Sequence, residues 1–136
     1  MMRNEMTKAQ AQKEANAFKR QFVYKSDGWL DSFRILDGEG RLEGDCDDAA
    51  VSMLWRVEGR DMGRFWGALK SGEAVIWYCK IAPSGARHAI LWHRSYGWIE
   101  NGSFKWTPEP AKDLKLGRKM SVLWLRAKML LGRLGA

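Results

Sequence analysis

Three groups in this chain suit nucleophilic chemistry, and they occur in an order that would let them act together: Cys46, then His88, then the adjacent Glu100 and Asn101. A thiol attacks carbonyl carbon as the thiolate, and its pKa falls at a helix N-terminus or beside an imidazole. Cys46 is offered both. It follows Asp45, a good N-cap, and Cys46, Ala49, Ala50, Met53, Leu54 and Val57 recur at helical spacing, so Cys46 opens a predicted helix over 46–57. The free N–H groups of that first turn would favour a thiolate and a tetrahedral oxyanion alike. His88 opens a predicted strand, from which a ring reaches a cleft edge. In the next strand Glu100 and Asn101 both have an oxygen that accepts from an imidazole N–H. Strand neighbours face opposite ways, so only one of them would orient the ring.

Other chemistry fits these residue types less well. A zinc site would draw on Cys46, Cys79, His88 and His93, but the cysteines are far apart in sequence and the histidines are separated by an odd number of strand positions. The acidic loop LDGEGRLEGD is no EF-hand: with Gly40 as its glycine, Ile35 and Cys46 would fall where oxygen ligands are required. Glu39 and Glu43 read as solvated surface. Cys79 lies between Tyr78 and Lys80 on the face of Val75, Trp77 and Ile81, so it reads as an inert core thiol.

The elements that must position the site follow from local patterning. Thr7 with Gln10 makes a capping box at the head of a helix reaching about Phe22. Gly59 closes the Cys46 helix, and a short amphipathic segment covers about 62–69. The pattern then changes to period two in AVIWYCKI, RHAILWHR and YGWIENGSFKW, three strands joined by turns short enough for an antiparallel meander. Beyond Pro108 and Pro110, Leu116, Met120, Leu123, Ala127, Leu130 and Leu134 form one stripe of a predicted amphipathic helix. The fold class is therefore α+β, with residues 1–110 as the domain and 111–136 as a basic amphipathic C-terminal helix.

Charge sharpens that division. The chain carries +7, and Ala111 to Ala136 holds seven bases against Asp113 alone, a net +6, which leaves the body nearly neutral. Such a tail suits an acidic partner, nucleic acid or a membrane surface, or it packs on the domain. Eight tryptophans are many for 136 residues, and most are expected in the core. The near-neutral body argues against a base-stacking groove. No run approaches the roughly 18 apolar residues of a membrane span. No apolar stretch of a secretory signal follows MMRNEMTKAQ, so a cytoplasmic protein is expected.

GDCDDAA (Gly44 to Ala50), RHAIL (Arg87 to Leu91) and WIEN (Trp98 to Asn101) occur in order on matching predicted elements. Across these roughly 60 residues the sequence resembles the bacterial transglutaminase-like cysteine proteinases of the papain-like superfamily, with their G-D-C-E-D-Y/F-A, G-H-A and L-D-N motifs. The resemblance implies a papain-like layout and a thiol-dependent amide hydrolase acting on a protein or peptide, with Cys46 as nucleophile, His88 as base and Glu100 in the place of the family aspartate. No cofactor is required. Calcium is a further expectation of the resemblance, through Asp45 and Asp47, and the upstream oxyanion donor has no motif, WLDSF (Trp29 to Phe33) lying in about the right place. Asp47, Ala49, Arg87 and Glu100 depart from the family pattern. The second reading is accordingly a catalytically degenerate binding or structural module that uses its basic tail. A bacterial or phage source fits either.

Overall fold

The computed structural model describes residues 5–25 and 33–134, and its architecture is α+β. Helix α1 (Lys8–Gln21) starts at Thr7, whose hydroxyl accepts from Gln10 N–H while the Gln10 side chain bonds back to Thr7 N–H, the expected capping box. Strand β1 (Phe22–Tyr24) continues from it and pairs in parallel with β2 (Leu42–Gly44), which delivers the chain to α2 (Cys46–Val57). Helix α3 (Met62–Ser71) follows, then β3 (Ala74–Ile81), β4 (Ala86–His93), β5 (Gly97–Ile99), β6 (Leu114–Lys119) and α4 (Val122–Leu134).

The four later strands form one antiparallel sheet in the order β5-β4-β3-β6. Two expectations need correction. The third strand is only Gly97–Ile99, because the chain turns away at Glu100, where Phe104 N–H bonds back to the Glu100 carbonyl. The tail is not helical from 111: Leu114–Lys119 pairs with β3 as a fourth strand, and helix begins only at Val122. Edge pairing outweighs the helical spacing of Leu116 and Met120 there, and Leu116 lies opposite Cys79.

Strand alternation gives the sheet two unlike faces. Ala74, Ile76, Ala89, Leu91 and Ile99 are buried and pack with α1 and α2 through Ala11, Phe18, Ala49, Met53 and Leu54. The other face holds Trp77, Trp92 and Trp98 with ring centroids 6.1–6.5 Å apart. Against expectation, none of the described tryptophans is fully buried. Trp55, Trp66 and Trp106 pack against the core from its margin, partly buried.

Helix α2 is pinned at its far end by a buried pair. Glu58, its C-cap, takes a 2.7 Å bond from His93 Nε2, and both side chains are almost without solvent contact. Ser95 N–H donates to His93 Nδ1 at 3.1 Å, which leaves the ring proton on Nε2, facing Glu58. Removing one partner strands the other's polar group in the core. His93→Ala should therefore lower the unfolding free energy by about 3–5 kcal/mol in urea denaturation, and replacing Glu58 and His93 together by leucine should cost less than the single change.

Candidate functional site

Cys46 is the first residue of α2, and the two aspartates around it build the helix start. Asp45 Oδ1 accepts from Asp48 N–H at 3.1 Å and Asp48 Oδ2 accepts from Asp45 N–H at 3.2 Å, a reciprocal capping box. Asp48 is wholly buried and also accepts from Arg34 N–H at 2.8 Å. Gly44 makes room for it, since a Cβ there would lie 2.7 Å from Asp48 Oδ2 and 2.8 Å from Leu36 Cδ1. The G-D-C-D-D run is thus a tight strand-to-helix junction that fixes the cysteine.

Cys46 lines a recess of about 10 Å³, room for about one water, together with Ala49, Met53, Ala89, Glu100, Asn101 and Phe104. Its sulfur is approached by the backbone N–H groups of Ala89 and Asp47, which favour a thiolate. They are outweighed. Burial, the Asp47 carboxylate and then that of Asp45 push the thiol up to about 12. The helix start was expected to lower this pKa; burial first, then the Asp47 and Asp45 carboxylates, reverse the sign.

His88 and Glu100 are brought together. His88 Nε2 lies 2.9 Å from Glu100 Oε2, and the ring is 8% exposed. Glu100 follows the last residue of β5 and folds back over its own turn, where its Oε1 accepts from Ser103 N–H at 2.9 Å. A Cβ at Gly102 would stand 2.6 Å from that Oε1, so a larger residue there would displace the Glu100 carboxylate. The bond from His88, then the Gly102 and Ser103 N–H groups, hold the Glu100 carboxyl below its usual range against the opposing effect of burial. As an ionised acceptor it keeps the ring proton on Nε2 and leaves Nδ1 free to take a proton.

Of the two candidates for orienting the ring, Glu100 makes the bond. Asn101 turns to the Cys46 recess, where its Oδ1 is buried with no hydrogen-bond partner among the described residues. Cys46, Glu100 and Asn101 therefore share one recess. The His88 ring does not line it, because Ala89 takes the helix-facing position of β4 and His88 points to the opposite face, paired with Cys79. Cys79 is 3% exposed, donates to the His88 carbonyl at 3.6 Å and is pushed up to about 11 by burial, then by the carboxylates of Glu100 and Asp113. Beyond Glu100 a wider groove of about 270 Å³ runs between Ile90, Trp98, Lys105, Pro110 and Leu114.

Three positioning residues carry no motif. Gln12 of α1 donates from Nε2 to the Phe104 carbonyl at 2.9 Å and accepts from Trp106 N–H at 3.1 Å, clamping the turn that carries Glu100. Phe104, with φ +52°, closes the recess and packs on Phe18 and Phe22. Gly102 is the third, and only the dipeptide Asn101-Gly102 hinted at its turn. For a cation, Asp45 is already engaged in the cap, and no three His, Cys, Asp or Glu side chains converge among the described residues. Of the WLDSF segment, Trp29 to Ser32 lie outside the described residues.

No protein-family model matches the chain, and no curated protein matches it.

Glu100 and Cys46 give opposite pH dependences. The Glu100 carboxyl is depressed, so its contribution to stability is complete above the ordinary glutamate pKa of about 4.3 and is lost as pH falls through the folded value; Glu100→Gln should flatten the acid limb of urea midpoint against pH. The Cys46 thiol is raised, so its contribution is complete below the unfolded thiol pKa of about 8.5 and is lost as pH rises toward about 12. Cys46→Ala should lose less stability than the wild type between pH ~9 and ~11 in the same assay.

Proposed function

We propose that the chain is a thiol-dependent amide hydrolase, acting on a protein or peptide through Cys46, His88 and Glu100. The observation that carries this reading is the 2.9 Å bond from His88 to a Glu100 carboxylate that also borders the Cys46 recess. Glu100 touches both sides, bonding the imidazole through one oxygen and bordering the recess of the thiol.

The chemistry follows from those roles. A thiol that rests protonated needs its proton removed during attack, so His88 Nδ1 takes it as Cys46 Sγ bonds to the amide carbon. The transfer needs the Nδ1 edge of the ring presented to the sulfur. The N–H groups at the start of α2 offset the developing oxyanion charge. His88 then returns the proton to the leaving amine as the C–N bond breaks, giving a thioester. Water attacks that thioester with His88 again as base, which releases the acid and restores the thiol. Glu100 holds the Nε2 proton throughout. The groove beside Glu100 has the volume for a substrate side chain, against apolar Ile90, Leu114 and Trp98. Interception of the thioester by an amine instead of water would make the same site an acyl transferase.

The thiol pushed up to about 12 and the recess with room for about one water favour a second reading, a fold of this layout kept as a catalytically silent binding module. Alkylation of Cys46 by iodoacetamide against pH, followed by mass spectrometry in wild type and His88→Ala, separates the two. Hydrolase chemistry predicts a reactive limb well below the thiol's own range that is lost in the variant. A single limb rising only above pH ~9, identical in both proteins, would leave the silent module.

A further inference from the structure

Helix α4 is apolar on two sides. Leu125 and Met129 face inward and are 1% and 9% exposed, and Phe33 N–H bonds to the Lys128 carbonyl at 3.2 Å, so this side docks the helix on the domain. The stripe read from sequence, Leu123, Ala127 and Leu130, lies on the other side: Leu123 is 80% exposed, Leu130 56%, and Trp124 beside them 45%. Trp124 is held upright, its Nε1 donating to the Tyr78 hydroxyl at 2.9 Å and its ring under Lys128 Nζ at 4.6 Å. Exposed apolar side chains on successive turns of one helix mark a surface that meets something other than water.

We infer that this outer face of α4 is a docking surface for an anionic lipid bilayer. Charge selects that occupant. After Asp113 the sequence has no further acid, while Lys115, Arg118, Lys119, Arg126, Lys128 and Arg133 follow. A second copy would bring two such basic segments together across the leucines, at a repulsive cost. Nucleic acid would answer the charges but not Leu123 and Leu130, which offer no face for base stacking. An anionic interface answers both, because leucines enter the acyl boundary, basic side chains reach the headgroups and an indole sits between them. One side of the helix is docked on the domain and basic side chains interrupt its apolar run, and no helix among the described residues is long and apolar enough to cross a bilayer, so this face meets the interface in its plane.

The inference is independent of the thiol site and is tested on the full chain with Cys46 intact. In flotation with vesicles of phosphatidylcholine, alone or with about one phosphatidylglycerol in three lipids, the protein should float with the anionic vesicles only, and less at about 0.5 M salt. The double change Leu123→Gln and Leu130→Gln replaces exposed side chains, so circular dichroism should be unaltered while flotation falls by about tenfold or more. Arg126→Glu should weaken it as well. The inference is overturned by an absence of flotation, by equal flotation with neutral vesicles, or by binding that the leucine changes leave intact. It is equally overturned if those changes abolish a dimer or the retention of an oligonucleotide instead.

Discussion

One buried carboxylate organises the start of α2. Asp48 sits at the third position of the helix with no solvent contact, and a charge in that place is tolerable only if hydrogen bonds surround it. It takes one from Asp45 N–H, closing the helix cap, and one from Arg34 N–H, tying in the chain that approaches from Phe33. Ser52, one turn on, accepts from Leu36 N–H, and Arg56, a further turn on, meets Glu14, Gln21 and Asp37. A polar line along one side of an otherwise apolar helix thus fastens the loop, α1 and the helix start together. Cys46 can hold no other place once that line is made.

The cost falls on the thiol. Acidic side chains are favourable at a helix start, where they meet the positive end of the dipole, yet the same charges stand against ionisation of a neighbouring sulfur. On the far side of the recess the opposite arrangement prevails. Glu100 is longer than an aspartate and spends its extra length folding back on Ser103 N–H, so that it presents one oxygen to His88 and has the other held by the backbone. One carboxylate readies an imidazole while burial, with Asp47 and Asp45, keeps a sulfur protonated, and the single-residue alternation of β4 puts Ala89 rather than His88 against the recess.

Much of this was legible in the chain. The N-caps Thr7 and Asp45, the helix at Cys46 and the strands around Trp77 and Ile90 follow from local chemistry that tertiary contacts do not oppose. Opposite faces for His88 and His93 follow from counting. What was not legible depends on partners distant in sequence. Strand β6 exists because β3 offers it an edge, β5 ends early because Glu100 turns to meet His88, and Gln12 matters only because Phe104 and Trp106 lie across from it. The stripe expected along the tail holds only from Leu123 onward, and of the outcomes left open for it the domain takes a different side of α4, through Leu125 and Met129.

The two borders of the sheet differ from its centre in a way that bears on handling the protein. Open strand borders recruit other strands, and long flat ones invite fibrillar stacking. Here β5 is three residues long, and beyond it the Thr107 N–H and carbonyl are bonded to Trp98, which covers the ladder. On the other border β6 carries Lys115, Arg118 and Lys119 within six residues, and its register against β3 is broken by an irregularity between Trp77 and Cys79. A neighbouring chain would meet either a three-residue strand already bridged at Trp98 or a crooked strand dense in positive charge. Growth of the sheet is thereby discouraged at both sides, by brevity and a bridging segment at β5 and by charge and irregularity at β6.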